Sequence, residues 1–489
     1  MAGRIAIMVV HGIGEQTPMA TLADFVDSVF SKDLTLVRAG KPNPNTGEQP
    51  RQANAAWYKP DPRTRNFDLR LITTESYETA AGQQKRADFF EFYWAHRVTG
   101  TGWEQVKAWI FGLMLRNPKT KVPRTLWRAW GMMWALLVLY LAVSGGLTWW
   151  LQEQLLLAAV AVATASGIAT LFYKVMNDWV GDIVRYVDSS PRNIKTRQEI
   201  REDGVRLLET LLGVGEDASF SGSQYDRVVL VGHSLGTIVG YDILNHTFGR
   251  MNLVFDRAQL AQTDQEKLTK LEALVREAWE SGAPLDLPQY RALQQAARKE
   301  LNAAGNPWIV SDFITLGSPL THAEFLMAKD REHLAELQAT RVFPTSPPQF
   351  EFHRNAPHWH FSYDADKGLA GKEGPSLKGK RVPHHAATFA FTRWTNIYSD
   401  LRGISGGDIV SGRLSGVFGL DRRDAGAGKL GGIEDIAVLP SADGTPEDMK
   451  RRRFTHVQYW DVDVAAGHSG EVPRHIQLLR EALDLKEKS

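Results

Sequence analysis

Gly232-His233-Ser234-Leu235-Gly236 is the segment of this chain best suited to do chemistry. It follows the β-branched run Tyr225 to Val231 and opens an apolar stretch, Leu235 to Asn245, of helical spacing. Strand, tight turn and helix in that order expose a serine hydroxyl at a helix N-terminus. Glycines on both sides relieve the crowding of a strained turn. Such a serine can attack a carbonyl carbon, and the charge that develops on oxygen then needs fixed backbone donors. One donor is the N–H of Leu235, just after the serine. The second is expected from a glycine loop behind an early strand. Ile5 to Val10 runs directly into His11-Gly12-Ile13-Gly14, so Gly12 and Ile13 are assigned to that oxyanion hole.

In these two motifs the chain resembles the α/β-hydrolase superfamily, in its lipase and esterase branch. The resemblance covers the polar part of the chain in pieces. It leaves out a region at 129–173 whose only charge is Glu153, the stretch Met251 to Ala304 and a histidine-rich loop. It implies an α/β fold with a mostly parallel sheet, helices on both faces, and a triad in the chain order serine, acid, histidine. The acid is then expected behind the late strand Phe391 to Ser399. Asp400 follows that strand at once, and Asp408 sits in Gly406-Gly407-Asp408-Ile409-Val410, a segment similar to the acid loop of lipase-like hydrolases. Asp408 is preferred and Asp400 is the alternative. The histidine is expected after the last strand and before the last helix, which selects His468 in Ala466-Gly467-His468-Ser469-Gly470. His456 is read as packed within a strand, Phe454 to Val464, and His475 as a surface residue of the closing helix.

Ser234, Asp408 and His468 together imply cleavage of a carboxylic ester, lipid or otherwise, through an acyl-enzyme and without a cofactor. The same groups would serve a thioesterase, an amidase or an acyltransferase. A non-catalytic membrane scaffold that keeps the hydrolase fold is the reading from a different class. His353, His358, His360, His384 and His385 invite a metal, but they lack a carboxylate–histidine helix motif and no metal is expected. Gly317-Ser318-Pro319 ends a strand without the elbow pattern and is read as a turn.

These residues must be positioned by strands and helices that alternate along the chain, which predicts a parallel α/β sheet. Strands are expected over Arg4 to Val10, Asn66 to Ser76, Ala87 to Ala95 and Trp308 to Leu316, besides those already named. Helices are expected over Trp103 to Leu115, over Asn177 to Leu212 with a break near Pro191, and over Val472 to Leu485. Residues 1–128, 174–249 and 306–489 read as three pieces of one core. Residues 250–305 read as a charged, amphipathic helical insertion, a candidate lid. Residues 341–385 are rich in Pro, Gly and His and read as a long loop.

Composition narrows the class further. The 489 residues include 57 Lys+Arg and 56 Asp+Glu, so the net charge of +1 gives no support to a nucleic-acid partner. Cysteine is absent, which excludes disulfides, a thiol nucleophile and thiolate metal sites. Ala129 to Trp150 is 22 residues without a charge and Leu155 to Tyr173 is 19 more. Each is long enough to cross hydrocarbon as a helix. Arg116, Lys119, Lys121, Arg124 and Arg128 precede the pair, Lys174 and Arg185 follow it, and the linker between has no Lys or Arg. A two-helix transmembrane hairpin with both flanks cytoplasmic is therefore expected. Trp127, Trp130, Trp149, Trp150 and Trp179 are placed as an aromatic belt. Gly145-Gly146 and Ala163/Gly167 would permit close helix contact and a homo-oligomer. The six-residue apolar run at the start is too short for a secretory signal.

Overall fold

The computed structural model describes the chain except residues 1–2, 13–16, 62–68, 98–110, 216–218, 353–358, 372, 401–406, 423–427, 439–454, 462–471 and 489. Within 124–190 it describes only 126–127, 130–131, 134–135, 137–138 and 186–187. One nine-stranded sheet organises these residues. Its strands are β1 (Gly3–Val10), β2 (Ala56–Pro60), β3 (Arg70–Thr74), β4 (Tyr77–Glu78), β5 (Gln84–Phe92), β6 (Arg227–His233), β7 (Val310–Leu316), β8 (Arg393–Tyr398) and β9 (Ile433–Ala437). The spatial order is β9-β8-β7-β6-β1-β5-β3-β2, with β4 also on β5. The six strands from β9 to β5 run parallel, and β2, β3 and β4 add an antiparallel edge.

Side-chain alternation divides each central strand between two cores. Ala6, Met8 and Val10 of β1 enter one core with Val228 and Leu230 of β6. Ile5, Ile7 and Val9 enter the other with Val229 and Val231. Both faces are apolar because helices cover both, as a parallel sheet requires. On the first face lie α2 (Pro191–Leu211), α3 (Gly236–Met251), α4 (Glu266–Ser281) and α5 (Leu287–Ala303). On the second lie α1 (Ala20–Val26) and the closing helix α6 (Arg474–Leu483). The molecule is thus a three-layer α/β structure.

The expected strands and helices at the centre are present with shifted ends. Three differences are instructive. In the expected strand Phe454 to Val464 only 455–461 is described, and there Thr455–Val457 forms a 3-10 turn; the outer strand is β9, whose Ile-Glu-Asp-Ile-Ala sequence is too short and charged to announce itself. The stretch 250–305 does not stand apart as a lid. Leu271, Val275, Tyr290 and Ala297 of α4 and α5 are buried in the first core, and Tyr290 Oη donates to the Phe389 carbonyl. The loop at 341–385 contains paired strands, Ser362–Asp364 with Arg381–Pro383, pinned by Glu272 of α4, which accepts from Ser362 Oγ and His360 Nδ1. The expected hairpin at 129–173 falls almost wholly outside the described residues. Among the described residues no helix is long and apolar enough to cross a membrane.

Register sets where chemistry can occur. Val10 is level with Phe92 and Gly232, His233 with Leu316, and Leu316 with Ile397. The carboxyl ends of the parallel strands therefore share one edge, from which the loops carrying Gly12, Ser234, Gly317 and Asp408 emerge.

Candidate active site

The turn after β6 is strained. Ser234 has φ 52°, a left-handed value that costs a non-glycine residue about 1–3 kcal/mol. Neighbouring contacts hold it there. Its N–H donates to the Leu316 carbonyl at 2.9 Å, and Thr237 Oγ1 donates to its carbonyl at 2.7 Å. Ser318 Oγ lies 2.7 Å from Thr237 Oγ1, whose proton is already committed, so Ser318 is the donor. The flanking glycines are required by space. A Cβ on Gly236 would lie 2.3 Å from the Val10 carbonyl oxygen, and one on Gly232 would lie 2.8 Å from that of Gly236.

Two further side chains converge on this serine. His456 Nε2 lies 2.8 Å from Ser234 Oγ, and His456 Nδ1 lies 2.9 Å from Asp408 Oδ2. With the carboxylate at Nδ1, that nitrogen carries the proton, leaving Nε2 to accept from the serine hydroxyl. Asp408 is buried and well supplied with donors. Tyr459 Oη donates to Oδ2 at 2.8 Å and the Val410 N–H to Oδ1 at 2.8 Å. Burial alone would raise the Asp408 carboxyl. The His456 ring, Tyr459 and the Val410 amide outweigh it and hold the carboxyl below its ordinary range. Gly317, at φ 60°, lets the turn after β7 press against this cluster: a Cβ there would lie 2.7 Å from Tyr459 and 3.2 Å from Asp408 Oδ2.

The opposite wall is the glycine loop after β1. Gly12 approaches so closely that a Cβ on it would lie 2.9 Å from Ser234 Cβ. His11 braces the loop. It accepts the Trp94 N–H at Nε2 (3.2 Å), donates from Nδ1 to the Gly12 carbonyl (2.8 Å) and stacks on the Trp94 ring. Burial pushes its pKa down to about 4, so the ring is neutral. At the far end of the loop the Met19 N–H donates to buried Glu91, whose carboxyl burial pushes up to about 7. Among the described residues the Leu235 N–H has no acceptor, which leaves it available for an oxyanion. Ile13, the other assigned donor, lies outside the described residues.

The structure thus brings together Ser234, Asp408, Gly12, Leu235 and both elbow glycines. It places His456, not a residue of the later loop, between serine and acid; His468 lies outside the described residues. The sequence points to a later histidine because 454–464 has the pattern of a last strand and puts His456 inside it, whereas the outer strand is β9 and His456 stands in the turn that follows. Asp400 is exposed and lines a separate cavity of about 840 Å³ together with His322, Ile409 and Arg413. His475 is buried, not on the surface, because it lies on the face of α6 that meets the core, and Nε2 donates to the Asp461 carbonyl.

His233 has a role that an elbow pattern does not reveal. Its Nε2 donates to the His456 carbonyl at 2.8 Å, and its ring packs edge-on to Trp460. Burial foremost, then the neighbouring His456, push its pKa down to about 3. Two of the histidines that invite a metal have other partners: His360 faces Glu272, and His384 Nε2 donates to the Gln349 carbonyl. His353 and His358 lie outside the described residues. Among the described residues no three His, Asp or Glu side chains are grouped to hold a metal ion.

Set against protein-family models, curated proteins and solved structures, the chain matches none of them.

Proposed function

We propose that this chain is a serine hydrolase of α/β-hydrolase type that cleaves carboxylic esters, held at a membrane by residues 129–173. The observation that carries the reading is the line from Ser234 Oγ to His456 Nε2 at 2.8 Å and from His456 Nδ1 to Asp408 Oδ2 at 2.9 Å, built on a serine at φ 52°. The chain order serine, acid, histidine and the glycine loop behind β1 support the same reading.

The reaction would begin with His456 taking the Ser234 proton as Oγ attacks the ester carbonyl. Asp408 keeps the imidazole in the right tautomer and stabilises its cation. The carbonyl oxygen becomes an oxyanion facing the Leu235 N–H and the Gly12 loop. Collapse expels the alcohol, which takes the proton back from His456, and leaves an acyl group on Ser234. Water, activated by His456, then releases the acid. A hairpin at 129–173 would keep the enzyme beside bilayer esters, which favours a lipid substrate.

Fluorophosphonate labelling of detergent-solubilised protein tests this. Labelling is expected in the wild type, to be lost in Ser234→Ala and His456→Ala, and to persist in His468→Ala. A folded wild type that takes no label, or labelling that depends on His468 and not on His456, would overturn the assignment.

A further inference from the structure

Exposed large apolar side chains are concentrated on the segment that precedes the apolar region 129–173. Phe111 (46%), Leu115 (73%) and Trp127 (43%) stand open to solvent there, and Val138 (58%) does so just inside the region itself. The segment is nonetheless folded against the core. Leu113, Val122, Leu126 and Trp130 pack on Phe325 and Leu326. Arg116 donates to the Phe325 carbonyl at 2.9 Å and lies over its ring at 5.0 Å. Trp127 and Trp134 satisfy their indole N–H groups on the Val122 and Met114 carbonyls. The exposed rings and chains are therefore not seeking hydrogen-bond partners; they need an apolar medium.

Charge narrows what that medium is. From Gln105 to Gln152 there is no Asp or Glu, while Lys107, Arg116, Lys119, Lys121, Arg124 and Arg128 are all cationic, in a chain whose net charge is only +1. Exposed aromatic and aliphatic groups interleaved with cations match an anionic lipid surface, where the rings enter the headgroup layer and the cations meet phosphates. The docking point also has a place in the catalytic layout. Phe325 lies eight residues beyond Gly317, the turn that abuts Asp408 and His456. Pro123 of the stem also lines the cavity that takes in Ile409 and Ser411, next to the Asp408 loop, so a bilayer touching this stem lies toward the end of the sheet where the serine stands.

We propose that the stem carrying Phe111, Leu115 and Trp127 is an interfacial platform that docks on anionic phospholipid, with these three side chains entering the headgroup layer. This rests on the membrane reading of residues 129–173 and specifies the lipid charge and the contacting side chains.

The chain has no cysteine, so single-cysteine variants can carry a polarity-sensitive fluorophore without background. Phe111→Cys and Leu115→Cys are compared with Val342→Cys, an equally open apolar position elsewhere. Each is reconstituted in phosphatidylcholine vesicles with and without about one-third phosphatidylglycerol. The expected result is a blue shift and at least threefold protection from an aqueous quencher at positions 111 and 115, in anionic vesicles, weakened by high salt and by Lys119→Glu, with no change at 342. Quenching at 111 and 115 equal to that at 342 in both lipids would overturn the platform. Carbonate extraction of the same vesicles reports separately on the hairpin. Protein that resists extraction while position 115 stays in water defeats the platform and leaves the anchor. Protein that is extracted yet blue-shifted at 115 supports the platform and removes the anchor. Protein that never associates with anionic vesicles defeats both.

Discussion

The proposed chemistry depends on three side chains from distant parts of the chain, and neighbouring residues decide how well they act. Tyr459 shares Asp408 Oδ2 with His456. Removing its hydroxyl leaves a buried carboxylate with one donor fewer, and hydrogen bonds to charged groups contribute about 1.5–3 kcal/mol. Tyr459→Phe is expected to lower kcat/KM for a soluble ester by about tenfold or more while Ser234 still labels. His233 holds the His456 backbone through a single donated bond. His233→Phe should slow labelling of Ser234, and His233→Gln, which keeps a donor, should recover part of the rate. Equal rates in all three proteins would show that His456 needs no such tether. At this scale the sequence is unevenly legible. The serine, its glycines and Asp408 were legible because their neighbours are small and their spacing is rigid. His456 was not, since it stands in His456-Val457-Gln458-Tyr459-Trp460, an aromatic run indistinguishable from a packed strand.

Among the elements, the sheet carries an unusual internal charge. Asp312 of β7 is buried between Arg227 of β6 and Arg393 of β8, with Arg393 Nε at 2.7 Å and Arg227 Nη1 at 3.3 Å. Burial would raise its carboxyl, but the two guanidinium groups bring it down to about 2. Arg298 of α5 is pushed down to about 10 by burial, against the opposing pull of the Asp312 charge. Without the acid both buried cations would lose their shared carboxylate, although Arg227 keeps the Leu483 and Asp484 carbonyls, so Asp312→Ala is expected to destabilise the fold by about 3 kcal/mol, read as the shift in urea midpoint. An Asp312→Ala protein with an unchanged midpoint would mean that the cluster is neutral on balance. None of this was foreseeable from Ser311-Asp312-Phe313, where an acid inside an apolar run signals only an interruption. The parallel setting of β1, β6 and β7 was foreseeable, because each is a short, largely apolar run followed by a glycine turn or a helix. The antiparallel edge was not, since Ala56–Pro60 has no apolar alternation and packs on one neighbour alone.

For the molecule as a whole, acid should be more damaging than its neutral charge balance suggests. His11 and His322 are buried with pKa values pushed down to about 4, His233 and His384 to about 3. In each the folded state binds its proton later than the unfolded chain, whose histidines titrate near 6.5. Between about pH 6.5 and 4 the unfolded state therefore holds more protons, and stability falls as pH falls. Each such histidine adds a slope of about 1.4 kcal/mol per pH unit within its window. The stability contribution is complete above pH 6.5, and unfolding by urea at pH 7.5, 6 and 5 should show the midpoint dropping over the last two. A midpoint independent of pH across that range would mean these rings are not neutral in the folded state.

Strand order has a consequence for how the chain is made. β1 is first in sequence but central in the sheet, and its partner on one side, β6, begins 222 residues after the Ile5 that pairs with Arg227. At ribosomal rates of roughly 5–20 residues per second, that edge of β1 waits about 10–45 s for its neighbour to be synthesised. The apolar region 129–173 emerges within this interval. An insertion machinery would therefore meet it while the catalytic half is still unmade, so that targeting precedes closure of the sheet. Nascent chains arrested before residue 227 should be protease-sensitive at the N-terminal strands, and arrest beyond residue 316, once β7 is also out, should protect them.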